Sequence, residues 1–307
     1  MNVRFLKYIL KRLLLSAATI VVVVSVTFIV MKVAPGSPFN SEKGISASTL
    51  ETLKKLYGLD KPVWEQYFDY IGSAFRGSFG VSIKKNRNVM TIINEGLKVS
   101  GIIGVLALVI SVFLGIVFGS MAATHQNKWS DRLIMVLSTA SVAMPSFIIA
   151  SILLYVICVK LKWLPANGTT WQGYILPVLC LSLYPMAYIT RLTRSSTLDV
   201  LNQDYIRTAK AKGLTKGKVL FKHALRNSLT PVITYLGPEF AYIITGSLVV
   251  EQIFGITGLG RTFTNSITNR DYPLIMGTTV FLTYIMVFML LFSDILYTIV
   301  NPKVDFD

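Results

Sequence analysis

The chain has 307 residues, of which 53% are hydrophobic, and its mean hydropathy is positive at +0.59. Thirty Lys and Arg against fifteen Asp and Glu give a formal net charge of +15. The long apolar runs exclude an ordinary soluble globular protein. Because the basic residues cluster at the ends of those runs, membrane topology explains the charge better than nucleic-acid binding does. Two cysteines and two histidines indicate neither a disulfide framework nor a metal site.

The first third of the chain combines one apolar run with a long polar segment. A basic stretch at 1–12 precedes an apolar run at 13–31. A cleaved signal peptide would have a shorter apolar region followed by a small-residue cleavage site, so this run predicts a retained first span. Residues 32–98 are polar, and they predict an external loop with short helices at 48–57 and 62–75.

Five further apolar runs predict five more spans. Pro145 predicts a kink in the third span, and Pro238 predicts a bend in the fifth. Gly115 and Gly119 form a small-xxx-small pair that permits close helix approach in the second. The five predicted spans are 99–123, 133–159, 174–190, 232–252 and 273–300.

The distribution of charge predicts an all-α membrane protein with six spans and both termini in the cytoplasm. Sixteen Lys and Arg lie in the segments assigned to the cytoplasm, and four lie in the two short external loops. The predicted organisation has four parts. These are 1–31, the cytoplasmic N-terminus and first span; 32–98, the external loop; 99–300, a five-span domain with a cytoplasmic loop at 191–231; and 301–307, a cytoplasmic tail.

The 191–231 loop carries nine basic residues and two acids between apolar runs, and its first half shows local order. Asp204 is placed to cap a short helix at 205–212, because its carboxylate can accept from the free amides of the first turn. Gly213 follows where a helix ends in a left-handed residue. The loop therefore predicts a short helix that stops at a glycine turn.

The second half of the loop predicts another helix, at 216–227. Thr215 precedes this helix as a cap, and Pro231 suits the start of the next span. From charge alone, the alternative is a generic basic loop that anchors two spans to anionic lipid. The ordered helix–glycine–helix pattern favours a specific structure instead.

This pattern resembles the signature loop of bacterial ATP-binding-cassette importer permeases in the dipeptide, oligopeptide and nickel subclass, and especially the B-type subunits of oligopeptide permeases. The matching residues are Asp204, Tyr205, Ile206, Arg207, Thr208, Ala209, Lys210, Ala211, Lys212 and Gly213, then His223, Ala224, Leu225, Arg226, Asn227 and Pro231. The broader family often has Glu-Ala-Ala where this chain has Arg207, Thr208 and Ala209, a departure that suits the peptide subclass. The stretches 144–147, 185–187, 254–260 and 269–273 carry the resemblance along the chain.

The resemblance implies a type I importer permease fold and a transport subunit that is not an enzyme. It implies a heterodimer with a second homologous permease, two ATPase subunits that bind ATP and magnesium, and an external substrate-binding lipoprotein. This chain would itself hold no cofactor, and its substrate would be a peptide carried across the bacterial cell membrane. Residues 204–213 would form the coupling helix that docks on an ATPase. A permease for nickel or another small solute, and an ATP-independent secondary transporter, are the alternatives.

Two acids lie within predicted spans, Glu239 in the fifth and Asp294 in the sixth. Because a charge in the bilayer is costly, neither should face lipid. Glu239 is interpreted either as lining a translocation path, together with Met144, Pro145 and Pro238, or as a structural residue. For Asp294, which lies near the cytoplasmic end of the sixth span, a structural role is the favoured interpretation.

The segment 254–272 is rich in glycine and hydroxyl residues, and it lies where an external binding protein would deliver its ligand. Arg261, Arg270 and Asp271 are predicted to form a docking or gating site there, and a solvated connector is the alternative. No phosphate-binding loop is recognisable, because the glycine spacing after Gly213 is one residue short and Val219 stands where Ser or Thr is required.

Overall fold

The computed structural model describes residues 3–33, 51, 55 and 57–300, which form helices and turns with one isolated antiparallel bridge between Val81 and Asn88. Most of the predicted helix at 48–57 and the tail at 301–307 lie outside these residues. The helices are α1 Val3–Val33, α2 Val63–Arg76, α3 Val89–Thr124, α4 Trp129–Ala143, α5 Ser146–Leu153, α6 Ile175–Leu201, α7 Asp204–Ala211, α8 (Lys216–Lys218, the π-helical Val219–Ala224 and Leu225–Ser228), α9 Thr230–Ile244, α10 Leu248–Ile253, α11 Leu259–Thr268 and α12 Tyr272–Val300.

Within the described residues, five helical segments are long and apolar enough to cross a membrane. A sixth candidate span is the pair Trp129–Ala143 and Ser146–Lys160, which is bent by 102° at a short break. The prediction of an all-α membrane protein with six spans is confirmed when this pair counts as one span. The π-helical Leu154–Lys160 continues α5, and the 3-10 turn Trp171–Tyr174 leads into α6.

The predicted kink at Pro145 is a complete break between α4 and α5. Met144 is extended, with φ −86° and ψ 124°, because the ring of a following proline disfavours the helical region. Pro145 is also extended, with ψ 135°, and Ser146 then begins α5. The proline therefore turns the chain sharply instead of bending one helix.

Two helices differ from their predicted extents. Helix α6 continues eleven residues past the predicted end at 190, as far as Leu201. No glycine or proline interrupts 191–201, and Thr193 and Thr197 are fully buried there, so packing extends the helix. Helix α9 runs through Pro238 without ending there, and the bend predicted at this proline stays a prediction. The interruption lies at Gly246, whose φ is +85°, and Ser247 caps α10 by accepting from the Val250 amide at 3.2 Å.

The contacts divide the chain into two compact units. One unit is built mainly from Met1–Lys98 and Gly258–Phe288. Its first core packs α1, α2 and α12 together through Val24, Phe28, Tyr70, Ala74 and Val280, and its second core is formed by Val89, Ile92, Ile93, Leu259 and Leu274.

The other unit contains Val99–Thr257 and the described residues that follow Phe288. Its core brings together Ile103, Ala107, Ala150, Leu176, Val178, Cys180, Val250, Phe254 and Ile256. Helices α3 and α6 approach closely here, since a Cβ built on Gly119 would lie 2.6 Å from the Thr190 carbonyl oxygen. The close approach predicted for the Gly115 and Gly119 pair is therefore confirmed.

Candidate functional site

Helix α7 is the centre of the 191–231 loop and lies within one residue of its predicted position. Gln203 is its extended N-cap residue and makes no side-chain capping bond. The prediction that Asp204 caps the helix is therefore wrong. Asp204 is the first helical residue, where its negative charge still favours the positive end of the helix dipole.

The glycine turn after α7 has the predicted left-handed conformation. Gly213 has φ +76°, and its amide donates to the Lys210 carbonyl at 3.0 Å. No atom lies within 4 Å of the place where a Cβ would stand. The requirement for glycine therefore comes from the backbone angle and not from crowding.

The inner face of α7 packs against α8. Ile206 and Ala209 are buried against Val219 and Ala224. The Asn227 side-chain amide also donates to the Tyr205 hydroxyl at 2.8 Å. The two helices consequently form one small body, which keeps the position of α7 fixed relative to α8.

The outer face of α7 is exposed, polar and largely basic. Its exposed side chains include Tyr205, Arg207, Thr208 and Lys210, and the C-cap residue Lys212 is exposed beside them. Arg207 forms only a loose ion pair with Asp204, at 3.5 Å, with both side chains largely exposed. An acidic or polar groove on another protein would complement this face.

Two polar links hold the 191–231 loop and the helices before it together. The Thr197 hydroxyl of α6 donates to the Ser228 hydroxyl of α8 at 3.1 Å in a buried setting. The Arg194 guanidinium of α6 donates to both carboxylate oxygens of Asp131 in α4, at 2.6 and 2.8 Å. The Asn127 amide adds a third bond to Asp131 at 2.8 Å, so this carboxylate, only 3% exposed, is fully satisfied.

The second unit also contains a cavity of about 540 Å³ beside the break between α4 and α5. Met144, Pro145 and Glu239 all line it, so three of the four predicted path residues lie together. Pro238 precedes Glu239 in α9 but is not among the described residues that line the cavity. Its other lining residues are Ser141, Val142, Ala143, Ser146, Ile149, Cys180, Leu181, Leu183, Tyr184, Pro185, Tyr242, Ile243, Gly246 and Ser247.

Among the residues that the structure describes, Glu239 is the only acid that lines this cavity, and it is 9% exposed. The Tyr235 hydroxyl, one turn earlier in α9, donates to its Oε2 at 2.7 Å. The Tyr235 ring lies 4.4 Å from the Tyr188 ring of α6, centroid to centroid, which fixes its orientation. Tyr235 is not among the predicted site residues, although its spacing of four residues from Glu239 places the two side chains on one helix face.

The predicted external site divides into exposed and buried residues. Arg270 is exposed and has φ +54°, whereas Asp271 is only 1% exposed. The Asp271 carboxylate accepts hydrogen bonds from the Ser82 hydroxyl and from the Ile83 amide, the latter at 3.2 Å. Burial, together with the negative charge of Asp271, raises the pKa of the Tyr57 hydroxyl. Asp271 therefore fastens the chain around Ser82 to the start of α12 and does not present its carboxylate to a partner. Arg261 lies in α11 and is partly buried.

The Asp131–Arg194 pair was also missed as a site. The sequence predicts Arg194 in the basic loop and Asp131 in the turn between the second and third spans, so it offers no reason to pair two residues 63 positions apart. A lone acid at the end of an apolar run is the signal that such a partner exists. Asp294, the other acid of a predicted span, is partly buried in α12.

Comparison with protein families gives two matches that together span most of the chain. The model described as "Binding-protein-dependent transport system inner membrane component" matches residues 115–306. A second model, described as the N-terminal part of such a membrane component, matches residues 5–100.

Curated relatives match over nearly their full length. The chain is 46% identical to the dipeptide transport system permease protein of Bacillus subtilis over 302 residues, which cover 97% of each chain. It is 41% identical to the oligopeptide transport system permease protein of Haemophilus influenzae, covering 97% of this chain and 99% of the relative. It is 43% identical to the dipeptide transport system permease protein of Lactococcus lactis, with the same coverage.

Among solved structures, a crystal structure of an amino acid ABC transporter with histidines matches 70% of this chain and 95% of its own. The TM-score is 0.53 and the sequence identity is 18%. This likeness concerns the fold, and it agrees with the arrangement of apolar helices described above.

Proposed function

The chain belongs to the family of binding-protein-dependent transport system inner membrane components, and on this premise we propose that it is a permease subunit of an ATP-driven importer of dipeptides or oligopeptides. The observation that carries the proposal is 46% identity over 97% of the chain to a relative named as a dipeptide transport permease. The chain is a multi-pass membrane subunit that performs transport and not catalysis.

The proposed assembly contains a second homologous permease, two ATPase subunits and an external substrate-binding protein. ATP and magnesium would be held by the ATPase subunits. The family description, which names a binding-protein-dependent system, supports the external partner. The apolar helices, of which many side chains are exposed in the isolated chain, support a bilayer and a second permease as their surroundings.

Residues 204–213 are proposed as the coupling element on the cytoplasmic side. Helix α7 has a basic exposed face, a buried face fixed to α8, and the left-handed Gly213 at its end. A rigid helix of this kind can transmit movement from an ATPase, because force on α7 also acts on α8 through Ile206 and Ala209. The Asp131–Arg194 pair connects the same region to α4.

The cavity beside Met144, Pro145 and Glu239 is proposed as part of the translocation path. Its volume of about 540 Å³ falls in the range of roughly 300–1,000 Å³ typical of small-molecule sites. On the external side, Arg270 and the partly buried Arg261 are proposed to contact the substrate-binding protein. Asp271 supports that surface from within.

The experiment that tests this function is peptide uptake into proteoliposomes that contain the complete transporter and its binding protein. We expect uptake of a radiolabelled tripeptide that requires ATP and is lost when the ATPase subunits are omitted. Charge reversal at Arg270 should lower uptake while the ATPases still co-purify. Uptake that continues without ATP would instead indicate a secondary transporter.

A further inference from the structure

The buried acid Glu239 has too few partners for a purely structural role. Within the residues that the structure describes, its carboxylate makes one hydrogen bond, from Tyr235, and pairs with no Lys or Arg. A carboxylate that lies in a membrane-spanning helix and is 9% exposed is costly to keep charged unless a cation or a water-filled space lies beside it. The cavity described above provides that space.

Glu251, a second acid of the same span, shows the structural alternative. It is 2% exposed, and its carboxylate accepts from the Ser100 hydroxyl at 2.6 Å. It does not line the cavity, whereas Glu239 does. Two acids twelve residues apart therefore have different surroundings, and of the two only Glu239 lines this cavity.

The rest of the cavity wall suits a small cation that is attached to an otherwise neutral, flexible molecule. Tyr184 and Tyr242 contribute aromatic rings, whose faces attract cations. Ser141, Ser146 and Ser247 contribute hydroxyl groups, and no Lys or Arg lines the wall among the described residues. The wall is therefore acidic at one point, aromatic and weakly polar, which excludes an anion as the preferred occupant.

We propose that Glu239 receives a primary ammonium group of the transported solute, namely the free amino terminus of a peptide in transit. This inference rests on the proposed function and adds the chemical group that the path recognises. An amino terminus is present on every unmodified peptide whatever its side chains. One carboxylate can therefore hold many different peptides weakly in the same orientation. Tyr235 positions the carboxylate by occupying Oε2.

The test measures equilibrium binding of three probes to the permease–ATPase complex in nanodiscs, without ATP and without the binding protein. The probes are trialanine, N-acetyltrialanine, and an N-acetylated tripeptide with a central lysine. We expect the wild-type complex to prefer trialanine over N-acetyltrialanine at least tenfold. Glu239→Gln should reduce this preference to about one, and Glu239→Asp should keep part of it. Glu251→Gln is the matched control and should keep the wild-type preference.

Several results would overturn the proposal. These are an equal preference in wild type and Glu239→Gln, or no saturable binding by the wild-type complex. If the acetylated lysine peptide binds as tightly as trialanine and loses that affinity in Glu239→Gln, the cation is a side chain and the assignment to the amino terminus is wrong. ATP-driven uptake of trialanine by the complete wild-type system, measured in parallel, tests the proposed function separately. Normal wild-type uptake, combined with the same preference for trialanine over N-acetyltrialanine in wild type and Glu239→Gln, would reject only the role of Glu239.

Discussion

Two buried acids, Asp131 and Glu239, show at the scale of single residues how surroundings decide what a charge does. Asp131 accepts two bonds from Arg194 and one from the Asn127 amide, so the protein itself satisfies it. Glu239 accepts one bond from Tyr235 and faces a cavity. The first acid holds helices together, and the second is placed to meet a solute.

Replacing Asp131 by Asn should destabilise the helices before the 191–231 loop. The variant leaves the Arg194 charge without its carboxylate, and losing one partner of a buried ion pair costs about 3 kcal/mol or more when both groups are enclosed. Because the Arg194 side chain is 23% exposed, we expect the low end of that range. Thermal inactivation of the purified complex measures the loss.

The exposed pair of Arg87 and Glu95 is the control for this prediction, because both side chains are about half exposed, at 48% and 57%. Glu95→Gln should change the inactivation temperature far less than Asp131→Asn, since exposed pairs contribute little. Equal effects of the two variants would show that the Asp131–Arg194 pair has no special structural role.

At the scale of elements, two glycines that follow α7, one in the turn and one in α8, have different requirements. Gly213 has φ +76°, whereas Gly217 in α8 has no such constraint and open space around it. A left-handed conformation costs a non-glycine residue roughly 1–2 kcal/mol. Gly213→Val should therefore displace α7 and weaken ATPase association by about tenfold, while Gly217→Val should be nearly neutral.

Co-purification of the ATPase subunits with each variant measures this difference, and membrane insertion of both variants should stay normal because no span is altered. If the two valine variants retain the same amount of ATPase, the left-handed turn is not required for coupling. Ala209 is not a useful position for this test, because it is buried against α8 and a large residue there would disrupt the loop itself.

The elements that the sequence predicts well are those with local signals. Gly213 and the glycine turn follow from neighbouring residues alone, and α7 lies within one residue of its predicted bounds. The extension of α6 to Leu201 depends on burial of Thr193 and Thr197 against other helices, which no local pattern records. The grouping of Glu239 with Met144 and Pro145 likewise requires the tertiary fold, because 94 residues separate Pro145 from Glu239.

At the scale of the whole molecule, the charge asymmetry predicts which parts face each side of the membrane. Single cysteines at Lys212 and Thr170, both exposed, should react with an impermeant maleimide from opposite sides of sealed vesicles. The background is a variant without the native Cys158 and Cys180. Reaction of both engineered cysteines from the same side would contradict six spans with both termini in the cytoplasm.

Site-specific photo-crosslinking tests the proposal that ATPase subunits act on this chain through the exposed face of α7. A benzoylphenylalanine at Arg207, on that face, is compared with one at Trp171, which is 73% exposed outside the loop. We expect an adduct between the chain and an ATPase subunit from position 207 and none from position 171. No ATPase adduct from position 207, or equal yields from both positions in an intact complex, would contradict it.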